Sequence, residues 1–175
     1  MKTIVKPEDT TGAWHGRFRA AAYSSGVGAV IWTLLIVLPF PPFSSVPPIL
    51  VGGGPGTWLL LGYVLYLVVG FGGLTGISTL LYIEESGERK RFNGTTMGAG
   101  LALYYSGASL ASALLGLAGY FGGRAFSIQH LPDPAIETIL LPYLEPITLA
   151  VLVACAGALI VFLSFAFLGR GQGQA

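Results

Sequence analysis

The hydrophobic and polar positions fall into long blocks. From Ala20 to Ile83 no residue is charged, and the same holds from Phe92 to Gly123 and from Pro146 to Gly169. About 20 apolar residues of helix cross a bilayer's hydrocarbon core. The first block is long enough for two crossings. Between them lies a connection rich in Pro39, Pro41, Pro42, Pro47, Pro48 and Pro55, with Gly52, Gly53, Gly54 and Gly56. Such a cluster breaks a helix. The pattern predicts four transmembrane helices, at about 20–38, 57–83, 96–121 and 145–168. Lipid offers no partner to backbone polar groups, so a spanning segment is a helix or part of a closed barrel. Barrel strands alternate in polarity, whereas these blocks are continuously apolar. The expected fold is therefore an all-α integral membrane protein, a single membrane domain over 1–175.

The block ends carry capping chemistry. Thr57 is the expected cap of the second helix, Thr95 or Thr96 of the third, and Pro146 suits the first turn of the fourth. Asp133-Pro134 starts a further short helix over 134–141, expected to lie at the interface and end near Pro142.

Composition agrees with this reading. Of 175 residues, 10% are charged and 53% hydrophobic, and mean hydropathy is +0.72. Soluble domains carry about 25% charged residues. Disordered chains are polar, so disorder is excluded. Cys155 is the single cysteine, which excludes a disulfide framework and any CxxC redox motif. A net charge of +1 argues against nucleic acid as a partner.

Charge placement predicts orientation. Lys2, Lys6, Arg17 and Arg19 precede the first helix; Arg89, Lys90 and Arg91 lie between the second and third; Arg170 follows the fourth. Arg124 alone falls on the other side. By the positive-inside rule, both termini and the Glu84–Phe92 loop are cytoplasmic, and the localisation is a multi-pass cell-membrane protein. The polar stretch ahead of the first helix, and the absence of a small-x-small site before the prolines, favour a retained helix over a cleaved signal peptide.

Small residues stand out inside the blocks. The 26 glycines are about twice the usual share. Membrane helices associate through close packing of small side chains. Gly72 and Gly76 form a GxxxG pair in the second helix. Gly98, Ala102 and Ser106 repeat at four-residue spacing in the third, as do Ala150, Ala154 and Ala158 in the fourth. These eight are the candidate helix-packing residues of a Gly/Ala/Ser-packed bundle. The third helix is small on several sides and is expected to be central.

Catalytic and cofactor chemistry is sparse. No HExxH, GxSxG or phosphate-binding loop is present. His15 and His130 fall on opposite sides of the membrane, so no paired histidines can ligate a haem. No catalytic, cofactor or metal residue is expected, and no cofactor. His130, Asp133 and Glu137 are the candidate outer-face set, short of a second His or a Cys for a metal site. The bundle interior is expected to lack ionisable groups, with Glu145 at the mouth of the fourth helix. Cys155 is expected to pack within the bundle, and His15 to belong to an interfacial belt with Trp14, Arg17 and Arg19. Tyr63, Tyr66, Tyr104, Tyr105 and Tyr23 form a polar-tipped aromatic set, chiefly packing residues with room beside them for a quinone or lipid tail.

In type, the chain resembles the small hydrophobic subunits of respiratory and other energy-converting membrane complexes. That resemblance implies a non-catalytic accessory subunit with the lipid bilayer and other membrane subunits as partners, in a terminal oxidase-like setting. A small-molecule or lipid transporter acting as a homo-oligomer is an alternative, motivated by the glycines of the second and third helices. An outer-face lipid- or quinone-modifying enzyme is another. The uncharged outer loop FPPFSSVPPILVGGGPG either lies on headgroups or is covered by a neighbouring subunit.

Overall fold

The computed structural model describes residues 14–38, 44, 46–87 and 92–167. Lys2, Lys6, Pro39, Pro41, Pro42, Arg89, Lys90, Arg91, Arg170 and the end of the fourth predicted helix at residue 168 lie outside them. Every described element is helical: α1 Trp14–Val37, α2 Val46–Val51, α3 Thr57–Leu65, a π-helical segment Tyr66–Gly73, α4 Leu74–Gly87, α5 Gly94–Ser127 and α6 Asp133–Phe167. A 3₁₀ turn, Gly54–Gly56, leads into α3. The stretch from that turn through α4 is one continuous span. With α1, α5 and α6 it makes four helices long and apolar enough to cross a membrane.

Helix α5 is the axis. Helix α6 runs back along it, α3 packs on another side, and α1 lies mainly against α4 and the π segment. The register of α5 against α6 is constant. Gly100 meets Val161, Gly107 meets Ala154, and Gly122 meets Leu140. On α3, Leu59 lies against Gly119, and Gly62 faces Ser112 and Gly116. Near Trp14 the spans meet in a core of Phe18, Ala22, Leu74, Ile77, Leu81, Met97, Tyr104 and Val161.

Several ends differ from the sequence expectation. Asn93, not Thr95 or Thr96, caps α5; its side chain accepts from the Thr95 N–H at 3.0 Å. A carboxamide at that position reaches the first free amides as well as a hydroxyl does. Thr57 is the first residue of α3 rather than its cap, and its hydroxyl donates to the Gly54 carbonyl at 2.8 Å. The separate helix expected over 134–141 is instead the opening of α6, which continues through Pro142 and Pro146. A proline forfeits one backbone hydrogen bond inside a helix. Here Ile136 and Leu140 are packed against the rest of the chain, Leu140 on Gly122, so tertiary contact holds the helix across the interruption.

The Pro/Gly connection is also more ordered than the sequence suggests. Pro47 and Pro48 sit in the first turn of α2, where a missing N–H is tolerated. Ile49 is fully buried and rests on Gly56 and Gly123. Part of the connection is thus covered by its own chain, through α2, while Val51 is 87% exposed.

Candidate functional site

A seam of hydroxyls and aromatic rings, half-buried at most of its members and exposed at Ser24, runs between α1, α3, the π segment and α5. Thr33 donates to its own helix at Ala29 O, 2.8 Å. Its single proton is thereby used, so in the 2.7 Å contact with Tyr63 the phenol is the donor. By the same reasoning, Ser24 donates to Ala21 O, and Tyr105 donates to Ser24 at 3.0 Å. Tyr104 is buried and donates to the Val69 carbonyl at 2.8 Å. The π segment makes this possible: the Leu74 N–H bonds Phe71 O, and the Val69 carbonyl accepts from the phenol. Gly73 is required there, because a β-carbon would lie 2.0 Å from the Tyr104 oxygen. Gly28 makes the same room for the Tyr66 hydroxyl, 2.3 Å from its would-be β-carbon.

Trp32 joins this seam to a lateral groove. Its ring packs against Tyr63 and Tyr66, with centroids 6.2 and 5.6 Å away. Its far edge lies over Gly116, at 2.7 Å from the position of an added β-carbon. The groove holds about 550 Å³ between Trp32, Leu35 and Ile36 of α1, Val46 of α2, Leu59 of α3 and the Ala113–Tyr120 stretch of α5. None of its lining residues is ionisable at neutral pH. The site can therefore hold an apolar chain or ring, with the Tyr120 phenol as the one hydroxyl in its wall.

A second constellation lies at the Trp14 end. His15 Nδ1 and Glu85 Oε2 are 2.5 Å apart. The other Glu85 oxygen accepts the Trp14 backbone N–H at 2.7 Å. Glu85 thus caps α1 from a different helix. Ser78 donates to the His15 carbonyl at 3.0 Å, the Tyr82 ring meets His15 edge-on at 5.4 Å, and the Arg17 guanidinium sits 4.4 Å over Trp14. His15 is therefore more than a belt residue. The EES stretch hid this pairing, because nothing local signals a partner 70 positions away.

The predicted packing residues divide into two groups. Ala150 and Ala154 are buried, and both face Gly107; Ala158 packs on the core. Gly98 faces the Trp14 ring, 3.5 Å from its would-be β-carbon. Ala102 and Ser106 are exposed, Ser106 donating to Ala102 O. Gly72 and Gly76 are exposed too; an added β-carbon meets only Leu67 O at 3.4 Å in the first case and nothing within 4 Å in the second. Cys155 also points outward.

At the opposite end, His130 takes a positive φ of 51° in the turn between α5 and α6. Asp133 and Glu137 stand exposed on α6. Among the described residues no three His, Cys, Asp or Glu side chains come together as a metal site. Glu145 is not at a helix mouth: α6 begins twelve residues earlier, and the α5–α6 register sets Glu145 level with about Gly116.

Comparison with known protein families, characterised proteins and solved structures finds no match to this chain.

Proposed function

We propose that this chain is a non-catalytic accessory subunit of a larger membrane complex, seated in it by the Gly72–Gly76 face. The observation that carries this reading is the contrast between two sets of small residues. Gly100, Gly107, Gly119 and Gly157 lie against neighbouring backbone within the chain, as a Gly/Ala/Ser-packed bundle requires. Gly72 and Gly76 lie against nothing that a β-carbon would displace. Glycine inside a helix costs about 1 kcal/mol relative to alanine, and this pair returns nothing to the isolated chain. Closely approaching helices of another subunit would recover that cost. Val68, Leu80 and Ile83, also exposed, supply apolar surface around the pair. The cell membrane is the proposed location. By the charge asymmetry, the Trp14 end is cytoplasmic, with both termini on that side. The setting we favour is an energy-converting, terminal oxidase-like complex, on likeness of type.

The test is recovery of the tagged full chain from its native membrane in mild detergent. Larger subunits should accompany it in stoichiometric amount. The Gly72→Leu/Gly76→Leu double variant should lose them while remaining monodisperse. Recovery of the wild-type chain alone would refute the reading. The π segment supports a second reading, a homo-oligomeric transporter, since π turns recur at functional sites. Protein-dependent flux into liposomes would select it.

A further inference from the structure

A groove of about 490 Å³ opens between the C-terminal end of α5 and the first half of α6. Its polar lining comes from Arg124, Gln129 and Tyr143, and its apolar lining from Phe121, Ile139 and Pro142. Thr138 completes the wall, its hydroxyl turned to the Pro134 carbonyl at 2.9 Å. We propose that this groove binds a membrane phospholipid, with the phosphate on Arg124 and the upper acyl chain along Phe121, Ile139 and Pro142.

Depth supports an amphiphile. Gly119 lies against Trp58 and Leu59, and tryptophan marks the edge of the hydrocarbon layer. Arg124 is five residues further along α5, about 8 Å beyond that level at 1.5 Å per residue. That is the headgroup layer. Gln129 follows it outward, whereas Phe121 lies near the Trp58 level. Along α5 the wall is therefore polar at the depth of a phosphate and apolar about one turn deeper, while on α6 the register sets Tyr143 near the Gly119 level, its phenol at the inner end of the groove.

Charge supports a phosphate. Arg124 makes no ion pair among the described residues. The carboxylates of this end do not line the groove: Asp133, Glu137 and Glu145 are absent from its wall. On a helical projection at 100° per residue, Glu137 points well away from Ile139, Pro142 and Tyr143. A guanidinium presents a planar fork of donors that matches phosphate oxygens, and the Gln129 amide and Tyr143 phenol can donate beside it. Pro142, lacking an N–H, leaves the Thr138 carbonyl without its usual helical donor. That acceptor suits the hydroxyl of a glycerol headgroup.

The test uses the full chain in detergent and native mass spectrometry. The probes are phosphatidylglycerol, diacylglycerol of the same chains, and inorganic phosphate. Wild-type protein should retain phosphatidylglycerol in preference to diacylglycerol. Arg124→Gln should lower that retention about fivefold, the scale of one basic residue at a lipid surface. Arg124→Lys should keep part of it, and Arg17→Gln, at the other end, should change it less than about twofold on the same scale. Thermal unfolding checks that each variant is folded; the exposed position of Arg124 favours this. Equal retention of diacylglycerol, unchanged retention in Arg124→Gln, or displacement by inorganic phosphate alone would each overturn the proposal, the last by identifying a free-anion site.

Discussion

Replacing Gly119 with alanine adds one methyl group where α5 meets the start of α3. The new β-carbon would stand 2.0 Å from the Leu59 backbone nitrogen and 2.7 Å from the Leu59 α-carbon and the Trp58 carbonyl carbon. These are main-chain atoms inside a helix, so no rotamer change relieves the clash. To reach ordinary contact the two helices must separate by more than about 1 Å, and close packing makes even one methylene felt. Overpacking of this kind costs about 1–3 kcal/mol. Alanine's better helix propensity returns at most about 1 kcal/mol. Because only main-chain atoms oppose the methyl, the upper part of the overpacking range applies, about 2–3 kcal/mol, and the expected net loss is about 1–2 kcal/mol. Gly76→Ala is the matched control: the same chemical change in open space keeps the propensity gain and has no clash. Reversible unfolding in detergent, followed by helical circular dichroism, should rank the proteins Gly119→Ala, wild type, Gly76→Ala in rising stability. Equal stability of the two variants, or a Gly119→Ala protein as stable as wild type, would refute the close-packing argument.

Three further outcomes follow from named contacts. Glu85→Ala removes the acceptor of both the Trp14 amide and His15, and should destabilise by about 1–3 kcal/mol, measured in the same unfolding assay. Local loss should appear as faster amide exchange in the first turn of α1. Tyr104→Phe strips the donor from the Val69 carbonyl and should cost about 1–2 kcal/mol, with little change in helix content. Trp32→Ala opens the groove wall and removes the ring from Tyr63 and Tyr66. As a half-buried residue it should cost about 2–3 kcal/mol, below the range for a fully buried tryptophan, and it should raise binding of an acyl-chain probe read by fluorescence quenching.

The spans were legible in the sequence because lipid enforces them: charge-free blocks of sufficient length leave the backbone few options but helix. What stayed hidden depends on partners distant along the chain. α6 carries two prolines in its interior, and local rules place a boundary at Pro142; only the packing of Ile136 and Leu140 shows why the helix continues. The GxxxG spacing of Gly72 and Gly76 identifies a surface for close approach but not whether the chain itself fills it, because faces are assigned by tertiary contacts. The π segment has no local signature beyond its glycines, and their meaning appears only where Gly73 meets Tyr104.

Glu145 shows how register changes a chemical reading. In the sequence it closes an apparent loop before an apolar run, at home in water. In the structure it stands twelve residues into α6, exposed on the surface and level with about Gly116. That level is about three residues on the membrane side of Gly119, where Trp58 marks the edge, or about 5 Å at the helical rise. A carboxylate on a lipid-facing surface at that depth is costly unless it reaches the interface or meets a donor. Arg124, the one Arg or Lys at this end among the described residues, lies eight residues further out on α5, about 12 Å away along the axis. A second copy of the chain in the same orientation would bring its own Arg124 at that same outer level, so of its side chains only a hydroxyl near the depth of Gly116, such as Tyr143, two residues further out on α6, could meet Glu145. A different subunit could offer a basic side chain at that depth as well. The carboxylate of Glu145 and the uncovered Gly72–Gly76 face are thus two features that the proposed accessory-subunit reading would explain together.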